Sequence, residues 1–79
     1  MTLKIISAQE IVFEGEVTSV TLPGSVGAFT VLQNHASLIS TLSAGKIVYK
    51  PAGASEPVVT DIPGGIVDVD SNIVSVCLY

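Results

Sequence analysis

Few residues in this sequence are of types that do chemistry, and their neighbours decide what each can do. Gly24-Ser25-Val26-Gly27 has the look of a phosphate-cradling loop. Such a loop needs a Lys-Ser/Thr pair after its second glycine and a helix N-terminus facing the anion, yet here Ala28-Phe29-Thr30-Val31 continues as a strand. The segment reads instead as a tight turn with both glycines at positive φ. His35 is the only imidazole, and no nearby Asp, Glu or Cys orients it as a base or ligand, which favours a structural or interface role. Cys77 lies in an apolar strand without a cationic neighbour, so it reads as a small buried hydrophobe and not as a reactive thiolate. Asp61, Asp68 and Asp70 are close in sequence, but calcium wants about six to eight oxygens from a dedicated loop. Solvated strand and turn positions explain them more simply. Glu10, Glu14, Glu16 and Glu56 fall in turns and strand edges, where charge resists edge-to-edge aggregation. No set of residues amounts to a catalytic, metal or cofactor site, and an interaction module is the leading class.

Composition points the same way. The chain has 79 residues, 48% hydrophobic and 13% charged, with a net charge of −4. One domain of that length buries roughly 60% of its unfolded surface, and its core supplies about 3–5 kcal/mol net. With one cysteine and one histidine, neither disulfides nor a metal can add support, which leaves a partner protein. Lys4, Lys46 and Lys50 are the only basic residues, too few for a nucleic-acid surface. Polar residues interrupt every apolar run well before the roughly 18–20 residues of a membrane helix. Met1-Thr2-Leu3-Lys4 shows no secretory signal, and a cytoplasmic, reduced setting is expected.

The elements that must position these residues are strands. Val, Ile and Thr dominate, and turn clusters recur at Glu14-Gly15, Pro23-Gly24-Ser25, Gln33-Asn34, Ser43-Ala44-Gly45, Pro51-Ala52-Gly53, Pro63-Gly64-Gly65 and Asp70-Ser71-Asn72. Between them the pattern predicts strands at Leu3–Ser7, Ile11–Phe13, Glu16–Leu22, Ala28–Val31, Leu38–Leu42, Lys46–Lys50, Val58–Ile62, Ile66–Val69 and Ile73–Leu78. Short connections favour hairpins over parallel pairing. Several strands are apolar at both parities, as in Ile73-Val74-Ser75-Val76-Cys77-Leu78. This implies two sheets packed face to face, with one outer surface shielded by a neighbour or left unusually apolar. The expected class is an all-β sandwich forming a single domain over residues 1–79.

Thr21-Leu22-Pro23-Gly24-Ser25-Val26-Gly27-Ala28-Phe29-Thr30-Val31-Leu32-Gln33-Asn34-His35-Ala36, with Leu38-Ile39 and Gly45-Lys46-Ile47, closely resembles the epsilon subunit of rotary ATP synthases. Leu3-Lys4-Ile5-Ile6-Ser7, Phe13-Glu14-Gly15-Glu16-Val17, Gly64-Gly65-Ile66-Val67-Asp68-Val69 and Ile73-Val74-Ser75-Val76 agree in the expected order. The resemblance implies about ten strands in two five-stranded, mostly antiparallel sheets. It also implies a non-catalytic rotor subunit of the central stalk that binds the gamma subunit and the c-ring near the alpha and beta subunits. Such a subunit helps couple proton translocation to ATP synthesis, and it lies peripherally on the cytoplasmic face of the bacterial inner membrane. No cofactor is implied.

Carried over by position, Ser25, Val26, Gly27, Ala28 and Phe29 match the loop facing the c-ring, and Ser7, His35, Leu38 and Ser40 match the gamma side. Relatives often carry an acidic residue at the positions of Val26 or Ala28, so an apolar, backbone-mediated ring contact is expected here. They often read Pro-Gly-His-Ala-Pro where this sequence has Gln33-Asn34-His35-Ala36-Ser37, which implies a less pre-ordered loop. If the sequence is the entire natural protein, the helical hairpin with which longer relatives inhibit hydrolysis is absent. The alternative is a biotinyl- or lipoyl-type group carrier. Such a carrier needs a lysine at an exposed hairpin tip between methionines or acidic neighbours, a setting that neither Lys46 nor Lys50 has.

Overall fold

A computed structural model describes residues 1–79. The chain is all-β, with strands β1 (Thr2–Ile6), β2 (Ile11–Leu22), β3 (Phe29–Leu32), β4 (Leu38–Leu42), β5 (Gly45–Pro51), β6 (Val58–Ile62), β7 (Gly65–Asp70) and β8 (Ile73–Leu78). One sheet runs β4-β7-β8-β1-β2 and the other β3-β2-β5-β6, with β2 shared between them. β6 and β8 fall where the sequence predicts them, and most other boundaries lie within one residue.

The strand count is eight, short of the ten that the resemblance implies, and Glu14-Gly15 is not a turn, so two of the nine strands read from the pattern are one. Glu14-Gly15 lies inside the 12-residue β2, with Lys4 opposite Glu14 and Leu3 opposite Gly15. The local signal for a turn gives way to long-range pairing. The first half of β2 pairs with β1, and the second half pairs with β3 and β5 after a register slip between Val17 and Ser19. A slip of this kind bends a strand and lets it pass from one sheet to the other. The Phe13 ring covers Gly15, where an added Cβ would come within 3.2 Å of it, and the same ring packs 4.5 Å from the Tyr49 ring at a 41° tilt.

A second departure from the hairpin expectation is the pairing of β1 with β8, which is parallel and brings the two ends of the chain side by side. The β7–β8 hairpin closes through Ser71 (φ 50°) and Asn72 (φ 62°), two consecutive left-handed residues as a two-residue type I′ loop requires.

Fifteen buried apolar residues form one core drawn from both sheets, with Leu3, Ile5, Val67, Val69, Val74 and Val76 facing Val20, Leu22, Val31 and Ile47. Strict alternation in β7, continued at Val74 and Val76 in β8, produces the inward row. Each such side chain contributes about 1.5–3 kcal/mol on burial. Met1 also belongs to this core. Its ammonium group donates to Glu16 Oε2 at 3.1 Å and Gln33 Oε1 at 3.2 Å, while Thr2 Oγ1 donates to Glu16 Oε1 at 2.5 Å.

Candidate functional site

The Ser25–Phe29 loop starts from a turn in which the Gly27 amide donates to the Gly24 carbonyl at 3.0 Å. Only Gly27 has positive φ (144°), so the expectation of two such glycines is half met. Gly24 is required for space instead, since a Cβ there would sit 2.6 Å from the Gly27 carbonyl oxygen and 2.9 Å from the Phe29 ring. The loop is anchored to β4: the Ser25 amide donates to the Thr41 carbonyl at 3.0 Å, and Thr41 Oγ1 donates to Ser25 Oγ at 2.9 Å. Ser25, Val26, Gly27 and Ala28 are exposed, with the Val26 side chain projecting fully into solvent, and Phe29 turns back to pack on the core. The result is an uncharged knob on a fixed base. Its helix-free geometry gives no anion cradle.

The residues assigned to the second surface are not all brought together. Leu38 pairs in register with Val69, which pairs with Val74 and through it with Leu3, whereas Thr41 connects through Ile66 and Cys77 to Ile6. His35, before β4, and Ser7, after β1, therefore lie towards opposite ends of the same sheet. Ser7 is occupied locally: its hydroxyl accepts from the amides of Gln9 and Glu10, and its amide donates to the Glu10 carbonyl at 2.9 Å. Leu38 packs against the core, Ser40 is half-buried, and Ile39 between them is 74% exposed.

The loop bearing His35 is fastened to the β7–β8 hairpin by side-chain hydrogen bonds. Asn34 adopts φ 61°, a conformation that glycine or asparagine supplies most readily. Its amide donates to Asn72 Oδ1 at 2.6 Å, and Asn72 Nδ2 donates to Asn34 Oδ1 at 2.8 Å. Ser37 Oγ donates to Asp70 Oδ1 at 2.7 Å, a second tie to the β7–β8 hairpin. His35 itself is exposed, with Nδ1 2.7 Å from the Ala36 carbonyl oxygen.

Cys77 corrects another expectation, because it is exposed. The parity that faces inward in β8 is that of Val74 and Val76, so Cys77 lies on the outer face, opposite Ile6 of β1 and Ile66 of β7. Ile6 is in turn opposite Ile11, and Ile66 opposite Thr41. One cross-strand row, Thr41-Ile66-Cys77-Ile6-Ile11, thus forms an exposed, mostly apolar stripe over all five strands, while the adjacent row reads Ile39-Asp68-Ser75-Lys4-Glu14. The stripe realises the unusually apolar outer surface implied by mixed-parity strands. Its residues were not assigned individually because sequence alone does not say which parity faces out.

Charge is sparse and local. Lys46 Nζ pairs with Asp61 Oδ1 at 2.6 Å across β5 and β6, and Lys4 approaches Glu14 at 4.0 Å. Both Lys46 and Lys50 lie within β5 and not at a hairpin tip, which removes the setting of a group-carrier lysine. Glu16 is held below its ordinary pKa by the Thr2 hydroxyl and then by the Met1 ammonium, against a small opposing effect of desolvation. No three His, Cys, Asp or Glu side chains converge as a metal site would require. No helix is long and apolar enough to cross a membrane.

Comparison with known proteins gives a consistent result. The family model for the ATP synthase Delta/Epsilon chain beta-sandwich domain matches residues 1–78. The ATP synthase epsilon chain of Sulfurovum sp. (strain NBC37-1) is 46% identical over 70 residues, covering 89% of this chain and 54% of the relative. That of Campylobacter jejuni subsp. doylei is 38% identical over 76 residues, covering 96% of this chain and 58% of the relative. The chain thus spans little more than half the length of these relatives. Among solved structures, a chain of the Euglena gracilis mitochondrial ATP synthase superimposes with a TM-score of 0.87 at 22% identity, covering 96% of this chain and 48% of that one. A chain from the central stalk and c-ring of the Tetrahymena thermophila enzyme gives 0.77 at 14% identity, covering 100% and 63%. These two likenesses bear on the fold, and the sequence matches bear on kinship. The chain belongs to the ATP synthase delta/epsilon family, as its β-sandwich domain.

Proposed function

We propose that this chain is a non-catalytic coupling element of the ATP synthase rotor, holding the gamma subunit on one side and the c-ring on the other. The observation that carries this reading is the family match across residues 1–78. In this reading the Ser25–Phe29 knob meets the c-ring. Its lack of charge makes that contact apolar and backbone-mediated, and its hydrogen bonds to Thr41 fix the base of the knob.

The gamma side centres on His35 and the outward Ile39. Leu38 and Ser40 support this surface from the core side, and Ser7 shapes a turn at the far end of the sheet. The work of the domain is rigidity: it binds two bodies and turns with them, and no bond is made or broken by its own side chains. It would act peripherally, at the membrane face where the catalytic and ion-conducting parts meet.

The test is reconstitution of the chain with a gamma subunit and c-ring of a related synthase, such as that of Sulfurovum, followed by co-purification. Stable co-purification with both supports the reading, and failure to hold either in the wild-type chain overturns it. The variant Val26→Lys, opposite in charge to the acidic residue that relatives often carry in this loop, separates the two contacts by weakening the c-ring alone.

A further inference from the structure

We infer that Thr41 is a positioning residue for the c-ring knob: it turns the Ser25 hydroxyl outward as a hydrogen-bond donor to an uncharged oxygen on the ring. The inference rests on the rotor reading and deepens it, naming the one polar side chain in a contact otherwise made by apolar groups and backbone.

The knob joins β2 to β3, yet what holds it comes from β4 in the other sheet. Pro23–Ser25 runs beside Thr41–Ser43: Gly24 bridges Leu42, the Ser43 amide donates to the Pro23 carbonyl at 2.8 Å, and the Ser25 amide donates to the Thr41 carbonyl at 3.0 Å. This short ladder fixes the Ser25 backbone, and its side chain is fixed separately. A serine hydroxyl has one hydrogen and two lone pairs, and on an exposed loop it can occupy three staggered rotamers. Thr41 Oγ1 donates to Ser25 Oγ at 2.9 Å. That bond occupies a lone pair and leaves the Ser25 hydrogen, which no group of this chain accepts, for something outside. Thr41 suits the task because its branched Cβ restricts χ1 within β4, where it is paired with Ile66. In the Thr21–Thr30 hydroxyl pair, by contrast, either oxygen can be the donor.

The surroundings set the chemistry of the acceptor. Ser25 carries the only polar side chain among residues 25–29, and no Asp, Glu, Lys or Arg occurs between Glu16 and Lys46. Lys46 itself is engaged by Asp61. A carboxylate pressed against Val26 and Ala28 would lose its hydration with no cation to replace it. A backbone carbonyl or a carboxamide oxygen loses far less and is satisfied by one hydroxyl donor.

The test measures the affinity of the full chain for the c-ring of a related synthase, with gamma pull-down alongside. Ser25→Ala should weaken ring binding about fivefold, the effect of one neutral hydrogen bond. Thr41→Val keeps the branched shape, removes the hydroxyl and should weaken ring binding about threefold. The double variant should bind within about twofold of Ser25→Ala alone, since Thr41 acts through Ser25. Thr41→Ser should stay within about twofold of the parent chain, and Ser25→Asp, which only accepts, should weaken binding at least about tenfold. Gamma binding should be unchanged in all of them. In the chain alone, the Ser25 Hα–Hβ couplings should report one rotamer in the parent and averaging in Thr41→Val. Additive losses in the double variant, parent-like ring binding of Ser25→Ala or Ser25→Asp, equal losses of gamma and ring binding in Thr41→Val, or averaged couplings in the parent overturn the inference. Failure of the unmodified chain to hold the ring overturns the rotor reading instead, and the couplings then decide by themselves whether Thr41 places Ser25.

Discussion

Asn34 and Asn72, 38 residues apart, exchange two hydrogen bonds while both hold left-handed backbone conformations. Each side chain pins the loop in which the other sits, so the His35 loop and the β7–β8 hairpin are set as one unit. The family resemblance gives this loop a glycine at the position of Asn34. Asparagine keeps the backbone conformation and adds a cross-link. Asn34→Gly should therefore lose only the exposed hydrogen bond that Asn72 Nδ2 donates to the Asn34 side chain, about 0.5–1.5 kcal/mol, while Asn34→Ala adds the left-handed strain of about 1–2 kcal/mol. Urea unfolding of both variants checks the order, and equal stability of the two would contradict it.

The position of Leu38 against the core and of Ile39 in solvent separates stability from binding. Leu38→Asp should unfold the sandwich by placing an unpaired carboxylate against the core, so lost binding in that variant says nothing about an interface. Ile39→Asp should leave stability within about 0.5 kcal/mol and still weaken a partner that uses the β4 side. Thermal melts alongside gamma-subunit pull-down distinguish the two.

At the c-ring loop, Gly24→Ala should cost on the order of 1–3 kcal/mol, since its Cβ would press on the Gly27 carbonyl and the Phe29 ring. Val26→Lys, at a fully exposed tip, should leave the melting temperature unchanged. Its effect belongs to binding: attachment to the ring should become weaker and newly sensitive to salt. A salt-dependence of ring binding already present in the unmodified chain would count against an uncharged contact.

Glu16 gives a pH dependence of definite sign. Its folded pKa is lowered by the Thr2 hydroxyl and the Met1 ammonium, so its stabilising effect is fully present above the ordinary glutamate value of 4.5 and is lost as pH falls through the lower folded value. Glu16→Gln should therefore be less stable than the parent chain at neutral pH and converge with it in acid. Melting curves from pH 7 downward test this, and a difference that persists undiminished below the folded pKa would refute it.

Leu3 measures the core. It is fully buried on β1, and Leu3→Ala should cost about 2–5 kcal/mol, a large share of what a domain this small has available.

The sequence made β6, β7 and β8 legible because their alternation and flanking turns agree with their tertiary pairing. β2 is less legible at Glu14-Gly15, where a dipeptide typical of turns is overruled by pairing with Lys4 and Leu3 of β1. Parity separated Cys77 from Val76, but only β1 and β7 decide which of the two faces the core. The Ser25–Phe29 loop was legible as a unit because its residues are contiguous. His35 and Ser7 were grouped by resemblance, and the register that sets them towards opposite ends of the sheet depends on pairings spanning most of the chain.

The parallel pairing of Thr2–Ile6 with Ile73–Cys77 also carries a consequence for biogenesis. β1 is an interior strand whose second neighbour, β8, comes after all the other strands of the sandwich, so one side of its ladder stays open until β8 has been made. Val74 and Val76 must arrive before Leu3 and Ile5 are sealed from water. Folding of this domain should therefore wait for β8 and be slow for its size, since its closing contacts join the first strand of the sandwich to the last. During that interval an exposed β1 is the segment most in need of a chaperone.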